Sequence, residues 1–394
     1  MATIKNATLY LWIYRGQYGS KPVEPNYVLY KEVKTGSEVI TFEIAELVKD
    51  YIDINFTGNY GSIEQTAWVQ WEMTQVYDDD SVVPLKGEYV ASTGYGYFED
   101  EVNPLLEQSA LISNDIIYTI KGVETPSLGT LDASVTTVTS DTTTHTADDG
   151  GKSIPSGTNT YIPFLTTENG AYSADFYNGN TLIYSELFGK TISSITADST
   201  AYTADTDSIT VDMSNIAGGE SDIIQYVEIP KDTTKIVITS SDNTIVTKTV
   251  KSIDECKYTP YKVSFMNKFG VVQDLWFFKT RKESVAISKG SYLENTLQET
   301  STGVAYSLNR ATKIPNQFKV QKSITLNTGF VDEEYNEVIQ QLLLTERAWV
   351  HENNNVFPII PSTSSLDYKT KLNDKLINFT IEFEYAYNEL NLIK

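Results

Sequence analysis

Residues 258–279 read YTPYKVSFMNKFGVVQDLWFFK, and this stretch decides the fold class. From Tyr261 to Met266 every second residue is apolar, which is the period of a strand with one buried face. Asn267 and Gly270 then interrupt the alternation, and both residue types adopt positive φ in turns at little cost. A second, more aromatic alternation follows over residues 271–278. The pattern predicts a β-hairpin at the centre of a β domain.

Length and composition limit the number of domains and the kinds of partner that the chain can have. A chain of 394 residues predicts two or three domains, and a net charge of −22 argues against a surface that wraps nucleic acid or binds anionic membranes. The N-terminal residues open directly into a strand pattern, and no apolar run predicts a secretory signal or a bilayer-spanning helix. Cys256 is the single cysteine, so no disulfide can form within the chain, and we expect a small buried apolar residue there.

Short alternating segments separated by polar turns predict a mainly β protein with two or three sandwich-like or barrel-like domains and two short helices. Residues 1–124 form the predicted N-terminal β domain, with one helix near residues 44–51. Residues 125–160 are rich in Ser and Thr and predict an exposed loop or linker. Residues 161–255 form a middle β domain, and residues 256–394 form a C-terminal β domain with one helix.

The C-terminal domain carries the clearest patterns. Residues 332–346 have helical spacing, with acidic residues in the first turn. Residues 377–387 alternate strictly and predict a strand more than about 30 Å long. Large apolar residues on these elements and on the hairpin are the candidates for the core or for assembly contacts. They are Tyr261, Phe265, Trp276, Phe278, Trp349, Phe379, Phe383 and Tyr385.

Four segments carry a resemblance to known proteins, three of them within residues 256–388 and a weaker one near the N-terminus. They are CKYTPYKVSFMNKFGVVQDLWFFK (256–279), TGFVDEEYNEVIQQLLLTERAWV (328–350), YKTKLNDKLINFTIEFEYAYN (368–388) and ITFEIAELVKDYI (40–52). They resemble virion structural proteins of tailed bacteriophages that infect Bacteroidetes, including crAss-like phages. The match covers the last third of the chain well, the first 75 residues loosely and the middle hardly at all.

The resemblance implies a structural subunit of the phage neck or tail, found in the virion and assembled in the host bacterial cytoplasm. Its expected partners are further copies of itself, in a cyclic ring or hub of six or twelve copies, and other neck or tail proteins. We expect neither tight nucleic-acid binding nor membrane insertion. The alternative is a receptor- or carbohydrate-binding tail protein, for which Tyr95, Tyr97 and Phe98 could stack on sugars. A polysaccharide-degrading tail enzyme is the third class considered.

Little in the sequence points to catalysis. His145 and His351 have no partner cluster, and residues 148–153 lack the first glycine of a phosphate-binding loop. Glu382 and Glu384 share one strand face, as a glycosidase pair could, but carboxylates on such a face are usually solvated. We therefore predict no catalytic, cofactor or metal site, and we do not expect an enzyme.

Overall fold

The computed structural model describes residues 3–15, 21–34, 39–52, 54–60, 65–95, 116–121, 157–165, 172–188, 224–240, 245–295, 297–306, 309–365, 367 and 377–387. The described chain is mainly β with two short helices, as predicted. It divides into two compact units, the first comprising Met1–Glu255 with Phe265–Leu275 and the second comprising Cys256–Ser264 with Trp276–Lys394. The segments predicted as N-terminal and middle domains thus fall in one unit.

A four-stranded antiparallel sheet opens the first unit. Its strands are β1 (Ile4–Tyr14), β2 (Tyr27–Glu32), β3 (Thr66–Tyr77) and β4 (Val82–Ser92), in the order β2-β1-β3-β4. The central strand β1 is buried on both faces from Leu11 to Tyr14. Helix α1 (Ala45–Lys49) is the first predicted helix, and residues 39–42 before it form no strand.

Two further sheets complete the first unit. The five-stranded sheet has the order β5-β11-β10-β7-β8, and β6 pairs with β9. These strands are β5 (Ile116–Ile120), β6 (Gly157–Leu165), β7 (Tyr172–Asn178), β8 (Thr181–Phe188), β9 (Ile224–Pro230), β10 (Lys235–Ser240) and β11 (Ile245–Ile253). Phe164, Phe176 and Ile236 are fully buried in the core between them. Of the predicted linker, residues 157–160 belong to β6 and the remainder lies outside the described residues, as does the strand predicted at 208–211.

The hairpin predicted from residues 258–279 is present, formed by β12 (Tyr261–Met266) and β13 (Val272–Phe277). Asn267 closes the turn, because its side-chain oxygen accepts from the backbone N–H of Phe269 at 3.0 Å and of Val271 at 3.3 Å. Gly270 has φ +75°, and a Cβ there would lie 2.7 Å from the backbone N of Gly94. Only glycine fits this turn.

A seven-stranded sheet has the order β13-β12-β18-β19-β20-β17-β14, and its strands that follow β13 in the sequence belong to the second unit. The remaining elements are β14 (Lys282–Leu293), β15 (Leu297–Thr300), β16 (Gly303–Tyr306), β17 (Lys313–Asn327), α2 (Tyr335–Leu344), β18 (Ala348–Glu352), β19 (Asn355–Pro361) and β20 (Thr380–Tyr385). Helix α2 is the second predicted helix and buries Val338, Ile339 and Leu342.

Three expectations need correction. The hairpin is buried on both faces, because even Ser264 and Asp274 are enclosed, so alternation did not mark a solvent face. Cys256 is exposed. The last strand keeps its predicted alternation but spans only Thr380–Tyr385, and Ile377 contributes an isolated bridge to Val331.

Candidate functional site

The eight residues chosen from the sequence lie largely in the interior. Tyr261 is half-buried, and the other seven are at most 8% exposed. Phe383 is fully buried and meets the ring of Phe277 edge-on, with 5.9 Å between ring centroids. Because the seven are enclosed within this chain, they belong to its interior and not to its exposed surface.

A buried carboxylate organises polar contacts in the first unit. Asp274 accepts a hydrogen bond from the Tyr60 hydroxyl at 2.5 Å and another from the backbone N–H of Tyr161 at 3.0 Å. The Tyr60 and Tyr161 rings stack with centroids 4.0 Å apart. Burial, together with the negative charges of Glu228 and Asp274, raises the pKa of Tyr161 to about 12. This cluster joins residues far apart in sequence and holds the middle of β13 in place.

A second cluster holds the start of β14 in the second unit. The Arg281 guanidinium contacts Glu283 and donates to the Tyr261 hydroxyl, and it lies 3.2 Å from Glu352. Glu352 also accepts from the Tyr385 hydroxyl at 3.0 Å. Burial, and then this hydrogen bond, raises the pKa of Tyr385 well above its usual range. The cluster therefore fixes the start of β14 to the sheet.

From that point β14 and β17 leave the sheet as a two-stranded ribbon. β17 pairs with β20 only over Ser323–Asn327, whereas β14 and β17 remain paired out to Leu293 and Lys313. We call residues 285–322 the arm. Its strands span about 30 Å at the usual rise per residue, and in the described part of the chain no strand pairs with the outer edge of β14.

A bulge shapes the arm midway. The register shifts between Ser288 and Gly290, and Gln317 on the opposite strand has φ +50°. A Cβ on Gly290 would lie 2.9 Å from the Asn316 side-chain oxygen. A bulge increases the local twist of a ribbon. The arm is therefore a twisted hairpin.

The arm exposes large apolar side chains along its length. Ile287 is 64% exposed and Leu293 is 80% exposed. A long apolar strand with an open edge is a template for pairing with another chain. The exposed large apolar residues on the arm are Val285, Ile287, Tyr292, Leu293, Leu297, Val304 and Phe318.

Sequence reasoning missed the arm. The stretch 282–293 alternates at Val285 and Ile287 and has a single aromatic residue, Tyr292. The usable signal was two strand-like stretches, 282–293 and 313–327, separated by residues 294–312, which are mostly polar. Lys, Ser and Gly stand where a second apolar face would be, and such a composition favours exposure.

The polar groups considered for chemistry have structural explanations where they are described. The Ser264 hydroxyl lies 2.7 Å from Nε2 of His351, but Ser264 is fully buried, so the pair links β12 to β18. The described residues contain no group of three or more His, Cys, Asp or Glu side chains able to hold a metal. His145 and residues 148–153 lie outside the described residues.

The predicted aromatic loop is only partly described. Gly94 packs so closely on the hairpin turn that a Cβ would lie 2.5 Å from the Lys268 carbonyl oxygen. The backbone N–H of Tyr95 donates to that oxygen at 2.7 Å. Tyr97 and Phe98 lie outside the described residues. Packing thus explains the described half of the loop.

An open cleft of about 450 Å³ lies in the second unit. Lys279 and Lys282 supply positive charge, and Phe330, which is 55% exposed, supplies an aromatic face. Hydroxyl and amide groups complete the wall. They belong to Tyr258, Thr280, Thr325, Asn327, Asn378 and Thr380.

None of the helices built from described residues is both long and apolar enough to cross a membrane. No protein-family profile, no curated protein and no solved structure matches this chain.

Proposed function

We propose that this chain is a structural subunit of a phage virion, forming a homo-oligomeric ring or hub of the neck or tail that helps to build the DNA conduit or its sleeve. The observation that carries this proposal is the exposed arm. A two-stranded ribbon is marginally stable by itself in water, and exposed apolar stretches of this size mark contact surfaces. A neighbouring subunit supplies the missing cover.

Two further features support the proposal. The four quoted segments resemble virion structural proteins of tailed phages, and three of them include strands and a helix with buried apolar residues. The net charge of −22 keeps an aromatic-rich subunit soluble before assembly and lowers affinity for the DNA that passes through it.

The test is the mass and shape of the purified full-length chain. Mass photometry and negative-stain microscopy should show a cyclic particle, with six or twelve copies as the expected numbers. The matched control replaces residues 289–318 with Asn-Gly, since Ser288 and Lys319 face each other and a two-residue turn can join them. The shortened chain should fold and remain monomeric. A wild-type chain that remains monomeric at about 10 µM, at physiological salt and with a crowding agent present, would contradict the proposal.

A second candidate is binding of a receptor or carbohydrate at the particle surface, and the cleft favours it. Two lysines, hydroxyl and amide groups, and the Phe330 ring are the chemistry that holds an acidic sugar. Calorimetry with glucuronic acid should then show binding that Lys279→Gln with Lys282→Gln weakens about tenfold, with glucose as the neutral control. Equal heats for both sugars would remove this candidate.

A further inference from the structure

The arm differs in charge from the rest of the chain. Residues 285–322 contain five Lys or Arg and two Glu, a net charge of +3, so the remaining residues carry −25 of the total −22. Lys289, Lys313 and Lys319 are exposed on the arm strands. Two arms placed together would therefore repel each other, and the arm is attracted to the acidic remainder of another copy.

Strand β4 offers a surface with the complementary properties. It is the last strand of its sheet, paired with β3 from Ser92 to Val82 and with no described strand on its other side. Val82 is 56% exposed and Leu85 is 41% exposed. The turn before it is acidic, and residues 78–92 contain four acidic side chains and one lysine, a net charge of −3. The Asp80 carboxylate is 87% exposed.

The two surfaces also match in length and backbone chemistry. β4 has 11 residues and spans about 36 Å, close to the 30 Å of the arm strands. Each is an end strand that pairs with no described strand on its outer side, and each carries exposed apolar side chains. Addition of a strand to such an edge is a common mode of recognition, in which main-chain hydrogen bonds supply affinity.

We propose that the arm of one copy docks on the β4 edge of the next copy, an inference that rests on the proposed structural function. Arm-to-arm and β4-to-β4 contacts both bring like charges together, so the favoured contact joins two different surfaces. Such a heterologous contact generates a ring when the rotation between copies closes. The charge pattern of a single chain thus disfavours contacts between like surfaces and is compatible with a contact that repeats around a ring.

A charge-swap series tests the docking. The arm variant Lys289→Glu, Lys313→Glu, Lys319→Glu changes the arm from +3 to −3. The edge variant Asp80→Lys, Glu88→Lys changes residues 78–92 from −3 to +1. We expect each variant alone to weaken self-association at least about tenfold by mass photometry, and the chain carrying both sets to regain most of it. Circular dichroism and thermal melting verify that each variant is folded.

The matched control is Lys34→Glu, Lys121→Glu, Lys257→Glu, which changes the net charge by the same amount at exposed positions outside the arm. It should assemble as the wild type does. Rings that form equally well in every variant would overturn the docking and leave the structural function standing. The same conclusion would follow if the arm variant and the edge variant each lost self-association and the chain carrying both sets of substitutions did not regain it. A wild type that never assembles would overturn both.

Discussion

At the scale of the residue, the hairpin depends on side chains that alternation alone would place in water. Asp274 is 7% exposed and holds the Tyr60 hydroxyl and the Tyr161 backbone N–H. Asp274→Asn keeps the shape of the side chain but replaces one acceptor oxygen with an NH2 group, which then faces the Tyr60 hydroxyl or the Tyr161 backbone N–H, both donors. We expect a loss of about 1–3 kcal/mol of unfolding free energy, because a buried polar group is left unsatisfied. Urea unfolding measures this loss, and Asp254→Asn, at an exposed position, is the control. Equal stability of the wild type and Asp274→Asn would show that water satisfies the polar groups of the site.

Tyr161 makes the stability of the first unit depend on alkaline pH. Its folded-state pKa of about 12 lies above the unfolded value of about 10, because burial and two nearby carboxylates disfavour the phenolate. The stability from the neutral phenol is complete below pH 10 and is lost as the pH rises towards 12. The stability difference between wild type and Tyr161→Phe should therefore shrink over this window in urea titrations. A difference independent of pH from about 9 to 12 would contradict the assignment.

Phe383 illustrates a residue whose role the sequence could indicate. It is fully buried against the Phe277 ring, as strict alternation in the last strand predicted. Phe383→Ala should destabilise the second unit by about 3–5 kcal/mol, through lost apolar burial and the cavity left behind. Ile360→Ala, at a position 55% exposed in the same sheet, should cost less than about 0.5 kcal/mol. Thermal melting compares the two, and similar losses would mean that Phe383 is not a core residue.

At the scale of the element, the sequence predicted what local periodicity encodes. The hairpin, both helices and most strands follow from the alternation or the helical spacing of their own residues. The polar partners of the hairpin did not follow, because Tyr60 and Asp274 are 214 positions apart and meet only in the folded chain. The arm was missed for another reason. Its exposure depends on the place of β14 at the end of its sheet, beside β17 and no other described strand, which is a property of sheet order and not of any one strand.

The arm's exposed apolar residues should matter for assembly and little for the folding of one chain. Val285→Thr with Ile287→Thr keeps the strand preference of both positions and removes apolar surface that the single chain leaves open. We expect the melting temperature of the monomer to change little and self-association to weaken by about 1–3 kcal/mol. Val23→Thr, at a position 95% exposed outside the arm, is the control. A double variant that melts much earlier and still assembles would place these residues in the interior of the chain.

At the scale of the whole molecule, the net charge is divided unevenly between the arm and the rest of the chain. The described core residues of each unit are buried by other residues of the same chain. The arm carries +3 while the rest of the chain carries −25, so the feature that projects is also the feature of opposite sign. In the proposed assembly, the arm's charge of +3 is set against the acidic β4 edge of the next copy. The rest of each chain still carries 25 Lys or Arg and a net charge of −25, so we expect the particle to have a net negative surface charge.

This distribution predicts how the particle treats DNA. Each phosphate contact adds affinity and slows sliding, so a conduit should present few cations to the duplex. We expect the assembled wild type to bind a 30-base-pair duplex more weakly than about 10 µM at physiological salt in fluorescence anisotropy. Any binding that appears at low salt should come from undocked arms and disappear when residues 289–318 are replaced by Asn-Gly. Submicromolar binding that survives this replacement would reveal a DNA-gripping surface elsewhere and contradict the proposal. The acidic residues have two candidate roles, to line a DNA conduit or only to maintain solubility. Electron microscopy of the particle separates them, because a conduit requires carboxylates along the lumen, whereas carboxylates that only maintain solubility lie on the exterior.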